Sequence, residues 1–373
     1  MNPALRSTGN SLRLKDRPAA RGLAYVRQVV AQYWPYLKVV LGLIVVAVVG
    51  VQFTHDLLDP SLWQRSLRPA WIVASGLLFL AGFSFSAFTW RWLLYCCDRT
   101  PRLYPTIRAY FLGQLGRYLP GKAWAMFFRA EMLRSEGVPM RVGAVTAFYE
   151  VFITMSGAAL ASALLFALFA PETGYRPHGH ILHDLIRLRV PSEVDPGKQT
   201  CVLMAFGFLA IVGAPALPRV FNAIARRLAA PFDADTGLPH FTWQHLGGGL
   251  VFSCTGWLFL GASLACALYA VEGPDLPWSL NLVGRVLAIM GVSYVAGFIV
   301  VVTPSGLGVR ELFLVMFLTG LLRETATEME NSRGLAVLTA LVLRVAWSGA
   351  ELLLVTLLWM IKVAPPDAGQ HAA

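Results

Sequence analysis

Long apolar runs dominate this sequence and constrain its fold more than any other feature. Seven are clear, and they cover residues 37–53, 71–95, 142–170, 200–217, 246–271, 280–302 and 335–361. An eighth run, residues 306–322, is shorter and begins in glycines. Because a bilayer core is about 30 Å thick, a helix needs about 20 mostly apolar residues to cross it. The runs therefore predict an all-α integral membrane protein with about eight transmembrane helices.

The composition excludes the other broad classes of protein. Hydrophobic residues make up 56% of the 373 residues and charged residues 14%, whereas a soluble domain has about 25% charged residues. A chain with so much apolar surface does not stay dissolved on its own, which excludes a soluble enzyme and a disordered chain. The five cysteines show no CxxC or Cys/His ligand spacing. We therefore interpret them as small buried side chains and exclude a disulfide scaffold.

The distribution of positive charge predicts the orientation in the membrane. Of the 31 Lys and Arg residues, 19 lie in one alternate set of loops: 1–36, 90–141, 218–244 and residues 362–373, after the last apolar run. Because positive residues favour the cytoplasmic side, we expect a multi-pass protein of the cytoplasmic (inner) membrane with both termini in the cytoplasm. The net charge of +10 is then a topology signal, and we expect no nucleic-acid partner. The predicted organisation is a basic cytoplasmic segment (1–36), a polytopic membrane domain (37–362) and a short cytoplasmic tail (363–373).

Two polar stretches receive structural interpretations. Residues 217–228 place apolar side chains at helical spacing and arginines on another face, which is typical of an amphipathic helix lying along the membrane surface. The loop at residues 170–199 contains His178, His180 and His183, a set that could bind a metal. Because the loop is short, polar and rich in Pro and Gly, we interpret it as solvated. We predict neither a metal nor another cofactor.

The first informative segment interrupts an apolar helical stretch within residues 104–134. Pro120 and Gly121 break the helix between two apolar parts. Broken backbone is costly in lipid unless it is buried in protein or lines a wet cavity, so a re-entrant hairpin or a discontinuous helix is expected. A helix that starts after the break would point free N–H groups at it. With Arg117 and Lys122 beside them, these groups form a predicted anion site.

The second informative segment follows the apolar run that ends at residue 302. Helix-breaking residues stop one helix and precede another: Pro304, Gly306 and Gly308. Arg310 and Glu311 lie in the first turn of the second helix, where a carboxylate is favourable. Two interrupted helices in corresponding positions of a chain are the sequence indication of a transporter site, and the pair suggests an inverted repeat. An ordinary Pro/Gly loop between spans is the alternative for either segment.

A span with ionisable residues inside it follows each break. Glu150 follows the first, and Arg344 and Glu351 follow the second, seven residues apart and so on one helical face. Ionisable residues at membrane depth are rare and usually face a cavity or each other. We predict that Arg344 pairs with Glu351 or Glu150. Either Glu131 belongs to the same site or it forms a solvated pair with the neighbouring Arg134.

The residues around both breaks resemble the signatures of a known family. Residues 117–122 read RYLPGK and residues 303–311 read TPSGLGVRE, and both look like the flippase-like membrane region of lysylphosphatidylglycerol synthases. The resemblance runs from about residue 38 to residue 361 and implies movement of aminoacylated or glycosylated lipids between leaflets. It extends to the membrane part only, without the soluble aminoacyl-transferase domain. The chain departs from the family pattern at two places. Ser305-Gly306 stands where the family often has two glycines. Glu150-Val151 stands where the family often has an acidic residue followed by Arg, so this departure removes a cation near Glu150.

The breaks and the charges lead to the hypothesis of a lipid flippase or transporter. In this hypothesis Arg117, Lys122 and Arg310 bind a lipid phosphate, while acidic residues balance them or meet a cationic headgroup: Glu131, Glu150, Glu311 and Glu351. The two halves of the chain would rock about the site. No GxxxxGK[ST] phosphate loop is present, so transport would be driven by a gradient or would have no driving force of its own.

Two other classes of function stay open. An integral membrane transferase acting on a lipid-linked substrate would use a buried carboxylate as a general base, and a non-transporting scaffold of a lipid-modifying system would leave the buried charges dispensable. We expect no enzyme activity, with the transferase as the runner-up. The expected partners are membrane lipids, namely an anionic or modified phospholipid or a lipid-linked sugar. A homo-oligomer or a lipid-modifying enzyme partner is a further expectation.

Overall fold

The structure, a computed structural model, describes residues 66–118, 124–169, 198–229, 239–300, 308–325 and 332–361. The regular elements of these residues are helices, as the sequence predicts. Ten are α-helices: α1 (Pro69–Tyr95), α2 (Leu103–Gly113), α3 (Trp124–Met132), α4 (Met140–Phe169), α5 (Lys198–Ala216), α6 (Pro218–Ala229), α7 (Trp243–Glu272), α8 (Leu280–Ile299), α9 (Val309–Thr325) and α10 (Ser332–Met360). The predicted first span, the basic N-terminal segment, the histidine loop and the tail after residue 363 lie outside the described residues.

Within that part of the chain, five helices are long and apolar enough to cross a membrane. They are α1, α4, α7, α8 and α10, with 20 to 30 residues each. Helices α5 and α6 pass the same test as one pair, bent by 55°. The all-α membrane fold is confirmed, while the count of eight crossings is not. Helix α9 has 17 residues, which is short for a full crossing.

Helices α1, α4 and α7 form the centre of the bundle. Helix α1 crosses α7 where Gly82 and Gly256 face one another, and a Cβ atom on either glycine would lie within 2.9 Å of the carbonyl oxygen of the other. Helices in lipid gain little from burying apolar surface, so close backbone contact through small residues is a main source of their association. A larger side chain at either position would separate the two helices.

Hydrogen bonds between spans reinforce this packing. The Ser75 and Ser263 hydroxyl oxygens lie 2.9 Å apart, and the Trp347 indole N–H donates to the Ser263 hydroxyl at 2.8 Å. The Trp257 indole N–H donates to the Thr154 carbonyl oxygen at 2.8 Å. These bonds join α1, α4, α7 and α10, so polar side chains fix the relative heights of the spans.

The first predicted break separates two helices that fold back on one another. Helices α2 and α3 pack together, and α2 continues as a short 3₁₀ helix through Tyr118. At Gly116 an added Cβ would lie 2.6 Å from the Ala125 nitrogen, and at Gly113 it would lie 2.4 Å from Cγ of Arg129. Only glycine allows this approach, so the two arms form a tight hairpin. Residues 119–123, with the break itself, are not among the described residues.

Helices α8 and α9, on either side of the second break, form an antiparallel pair. At one end of the pair Arg285 contacts Glu324 at 2.5 Å. At the other end a Cβ on Gly297 would lie 2.9 Å from Cβ of Arg310. The end of the pair at Gly297 and Arg310 lies against Trp347 of α10, which is buried.

The predicted amphipathic helix is present as α6, and its inner side packs against the bundle. Phe221 is 1% exposed and packs on Tyr149 and Phe241, whereas Val220 is 39% exposed. The Asn222 side chain donates to the Phe241 carbonyl oxygen at 2.8 Å and accepts from the Phe241 N–H at 3.0 Å. These contacts fasten α6 to the start of α7 and to α4.

Candidate functional site

A cavity of about 190 Å³ lies where both broken helix pairs meet the spans. Its middle is apolar and aromatic, with Phe79, Phe83, Met155 and Leu260 among the lining residues. Charged and polar side chains lie on two walls, one formed by α2–α4 and the other by α8–α10. A concave site that is mostly apolar with a few converging polar groups is the usual form of a ligand pocket.

Glu150 and Glu351, which line the cavity, lie well inside the length of their helices. Glu150 follows the start of α4 at Met140 by ten residues, which is about 15 Å along a helix. Glu351 precedes the end of α10 at Met360 by nine residues, or about 14 Å. Half of the hydrocarbon thickness is also about 15 Å. At such a distance from the ends of a membrane-spanning helix, a bilayer excludes unpaired charge.

The first polar wall centres on the carboxylate of Glu150, which is 1% exposed. One oxygen accepts from the Arg129 guanidinium at 3.0 Å. The other accepts from the Thr154 hydroxyl at 2.8 Å and from the Tyr110 hydroxyl at 3.2 Å. The Arg129 guanidinium carbon also lies 3.9 Å from the Tyr110 ring centre, a favourable cation–π position. Each oxygen of this carboxylate thus has a donor, and the pair is neutral as a whole.

The second polar wall centres on the carboxylate of Glu311, in the first turn of α9. Glu311 contacts Arg310, with 3.1 Å to its Nε, and lies 3.5 Å from Nη1 of Arg344. Its second oxygen accepts the Gly308 N–H at 3.0 Å. One carboxylate therefore caps the start of α9 and brings together two arginines from different helices.

Aromatic rings hold the second wall against the cavity. The Arg310 guanidinium lies 5.3 Å from the Tyr294 ring centre and 5.5 Å from the Trp347 ring centre. Trp347 stacks in turn on Phe79 of α1, with ring centres 4.5 Å apart. The Arg344 side chain is 36% exposed, against 4% for Arg129. The second wall is thus the more open of the two and can meet an anion.

Among the described residues, the structure brings together five of the six charged residues predicted for the site. Arg310, Arg344, Glu150 and Glu351 line the cavity, and Glu311 contacts both arginines. The predicted pairing of Arg344 with Glu351 stays a prediction, whereas Glu150 has Arg129 as its ion-pair partner.

Other predicted positions lie elsewhere or are not described. Glu131 forms an ion pair with Arg134 at 3.1 Å on an exposed surface, which is the alternative interpretation, and it does not line the cavity. Gly308 has φ of 85°, a backbone conformation that glycine adopts without strain. The remaining positions fall outside the described side chains: Arg117, Pro120, Gly121, Lys122, Pro304 and Gly306.

Sequence reasoning missed Arg129. It expected that the departure at Glu150-Val151 removes a cation near Glu150, yet Arg129 supplies one from α3. The chain carried a signal, because Arg129 lies on the same helical face as Ala125 in a helix whose other face is aromatic. A lone arginine in such a context indicates a buried partner, but Glu150 lies 21 positions further along the chain on another helix, and no local spacing points to it.

The comparisons with known proteins complete the description of this region. A family model described as the lysylphosphatidylglycerol synthase TM region matches residues 37–358. The match includes both breaks and every charged residue named on the two walls. No curated protein matches the chain.

Proposed function

The chain belongs to the family of the lysylphosphatidylglycerol synthase TM region, and from this premise we propose that it moves a phospholipid headgroup between the leaflets through the central cavity. The observation that carries the proposal is the convergence of Arg310 and Arg344 on Glu311, beside a broken helix end in the central cavity. Such a group of charges is expensive in a bilayer, and its usual use is a substrate pathway.

The second wall is the proposed binding position for the lipid phosphate. Arginine binds phosphate through two parallel N–H donors, and it is less strongly hydrated than lysine. Glu311 orients both guanidinium groups and keeps the empty site from carrying two uncompensated positive charges. Arg117 and Lys122, which the sequence predicts as phosphate-binding residues, remain part of the proposal. Glu351 is proposed either to contact a positively charged group of the headgroup or to offset the charge of the arginines.

The size of the cavity supports a headgroup as the cargo. An engineered cavity of about 150 Å³ holds one benzene molecule, so a volume of about 190 Å³ suits a headgroup and cannot enclose two acyl chains. The chains of the lipid would stay in the bilayer while the headgroup crosses. The lipid is proposed to be an anionic or modified phospholipid, in the cytoplasmic membrane, with both termini of the protein in the cytoplasm.

Reconstitution tests this proposal. Purified protein in liposomes should translocate a fluorescent phospholipid between leaflets, measured by chemical quenching of the outer leaflet. Glu311→Gln and Lys122→Ala should each lower the rate at least tenfold, whereas the matched control Arg134→Gln, on the exposed surface, should leave it unchanged.

The same assay separates the alternatives. Chemical change of the headgroup without movement of the lipid would contradict transport and support a membrane transferase. If the liposomes show neither movement of the lipid nor change of its headgroup, and the Glu311→Gln variant still functions in cells, the result would support a scaffold in a lipid-modifying assembly.

A further inference from the structure

Helix α3 is short, and it lies between the cavity and the outer surface of the protein. It contains nine residues, Trp124–Met132. Ala125, Met126 and Arg129 line the cavity. On the other side of the same helix Phe127 is 46% exposed, and two further aromatic residues are exposed by 40% or more: Trp124 and Phe128. A single short helix thus carries a cavity face and a lipid face.

The contacts that hold α3 run through very small residues. At Gly113 and Gly116 of the preceding arm and at Gly143 of α4, an added Cβ would lie 2.4 to 3.0 Å from an atom of α3. Such close contacts through small residues favour association of helices in a membrane. The buried Arg129–Glu150 ion pair also joins α3 to α4.

The inner face of α3 contains a hydrogen-bond donor with no acceptor. Arg129 is 3% exposed, and its Nε–H has no acceptor among the described residues. Buried donors nearly always have a partner, and an exception needs an explanation. Because Arg129 lines the cavity, an acceptor oxygen of a bound ligand would supply this partner after a small rotation of the side chain.

The outer face of α3 suits acyl chains. The Trp124 ring centre lies 6.5 Å from that of Phe127 and 6.0 Å from that of Phe128, so the three rings form one continuous apolar surface. This surface is one helix diameter away from Arg129. A lipid whose phosphodiester contacts Arg129 has its chains in reach of these rings.

We propose that α3 is the wall through which a phospholipid enters the cavity, with Arg129 holding an oxygen of its phosphodiester and the rings of Trp124, Phe127 and Phe128 contacting its acyl chains. This inference rests on the proposed function, in which the headgroup enters and the chains stay outside. It adds an entry position and a second oxyanion contact, on the wall opposite Arg310 and Arg344.

A photocrosslinking experiment tests the entry position without measuring transport. A photoreactive benzoylphenylalanine replaces Phe127 or, as a matched control on the exposed face of α10, Leu352, which is 63% exposed. The full-length protein in detergent is irradiated with phosphatidylglycerol that carries tritium in its acyl chains. Excess unlabelled phosphatidylglycerol or diacylglycerol, which lacks the phosphodiester, competes for the site.

At position 127 we expect phosphatidylglycerol to displace the label at least tenfold better than diacylglycerol, whereas at position 352 the two should compete equally. The double variant Arg129→Gln/Glu150→Gln removes both buried charges and so protects the fold. It should abolish the headgroup preference at position 127, and the surface variant Arg134→Gln, which retains Arg129 and Glu150, should keep it.

Equal competition at position 127, or a preference that survives the loss of Arg129, would overturn the entry position. If a headgroup preference is found at position 127 while the liposomes show no translocation, the proposed function fails and the lipid contact stands. If translocation occurs without the preference, only the entry position fails.

Discussion

The two charged walls of the cavity use the same chemistry with different degrees of exposure. The Arg129–Glu150 pair is nearly closed off, with side chains 4% and 2% exposed, and Glu150 accepts three hydrogen bonds. The Arg310–Glu311–Arg344 group is more open, with side chains 13%, 14% and 36% exposed. We infer that the first wall maintains the fold and makes the entry contact through Arg129, while the second wall is the main binding position for the headgroup.

The largest loss of stability is expected when only one residue of the buried Arg129–Glu150 pair is replaced. Arg129→Met leaves the Glu150 carboxylate buried without its cation, and removal of one partner of a buried ion pair costs about 3–5 kcal/mol. We expect the midpoint of thermal unfolding in detergent to fall by many degrees, together with lower yields of folded protein.

The double variant Arg129→Met/Glu150→Gln is the matched control for this prediction. Replacing both members of a buried ion pair is often close to neutral, so much of the lost stability should return. A double variant as unstable as the single one would show that the pair does more than balance charge.

The second largest effect concerns Glu311. Glu311→Gln retains the shape of the side chain and its contact with the Gly308 N–H, but leaves Arg310 and Arg344 without the shared carboxylate. We expect a loss of about 1–3 kcal/mol in the free energy of unfolding, the usual cost of a lost charged hydrogen bond. Equal destabilisation by Glu311→Gln and Arg129→Met would remove the distinction between the walls.

Arg344→Gln is expected to separate stability from binding. Its side chain is the most exposed of the three, so the free energy of unfolding should change by less than about 1 kcal/mol. Loss of a charged contact to a phosphate should weaken lipid binding by about tenfold or more. Titration of phosphatidylglycerol against the purified variant measures the affinity, and an unchanged affinity with a large loss of stability would reverse the assigned roles.

The smallest effect is expected at the surface pair Glu131–Arg134. Both side chains are more than half exposed, and pairs of this kind contribute about 0–1 kcal/mol. Glu131→Ala should leave both unfolding and translocation unchanged within error. A loss of translocation in this variant would return Glu131 to the site, from which its position on the surface excludes it.

The sequence predicts the fold class and half of the site because these depend on local patterns. Apolar runs predict the helices, Pro and Gly predict the breaks, and the seven-residue spacing of Arg344 and Glu351 predicts a common face. Arg344 and Glu311 are 33 positions apart in the sequence, and Arg129 and Glu150 are 21 positions apart. Each contact joins two separate helices. No spacing rule links residues across separate helices, so these pairings require the packed bundle.

Depth in the membrane is the second property that the sequence leaves open. The run 306–322 reads as a short crossing, and α9 begins beside Gly297 and the buried Trp347. Trp347 precedes the end of α10 by 13 residues, or about 20 Å. Only the packing of Arg310 on α8 and α10 reveals that this helix starts within the bundle.

Mass spectrometry of the lipid that copurifies with the protein tests the central claim most directly. The wild-type protein and Arg310→Gln/Arg344→Gln, which preserves side-chain volume without the charge, are purified in the same detergent and analysed with their bound lipids. We predict that the wild type retains a phosphodiester lipid of one headgroup class and that the variant loses at least nine-tenths of it. Retention of the same lipid in the same amount by both proteins would contradict the claim that these arginines bind the headgroup.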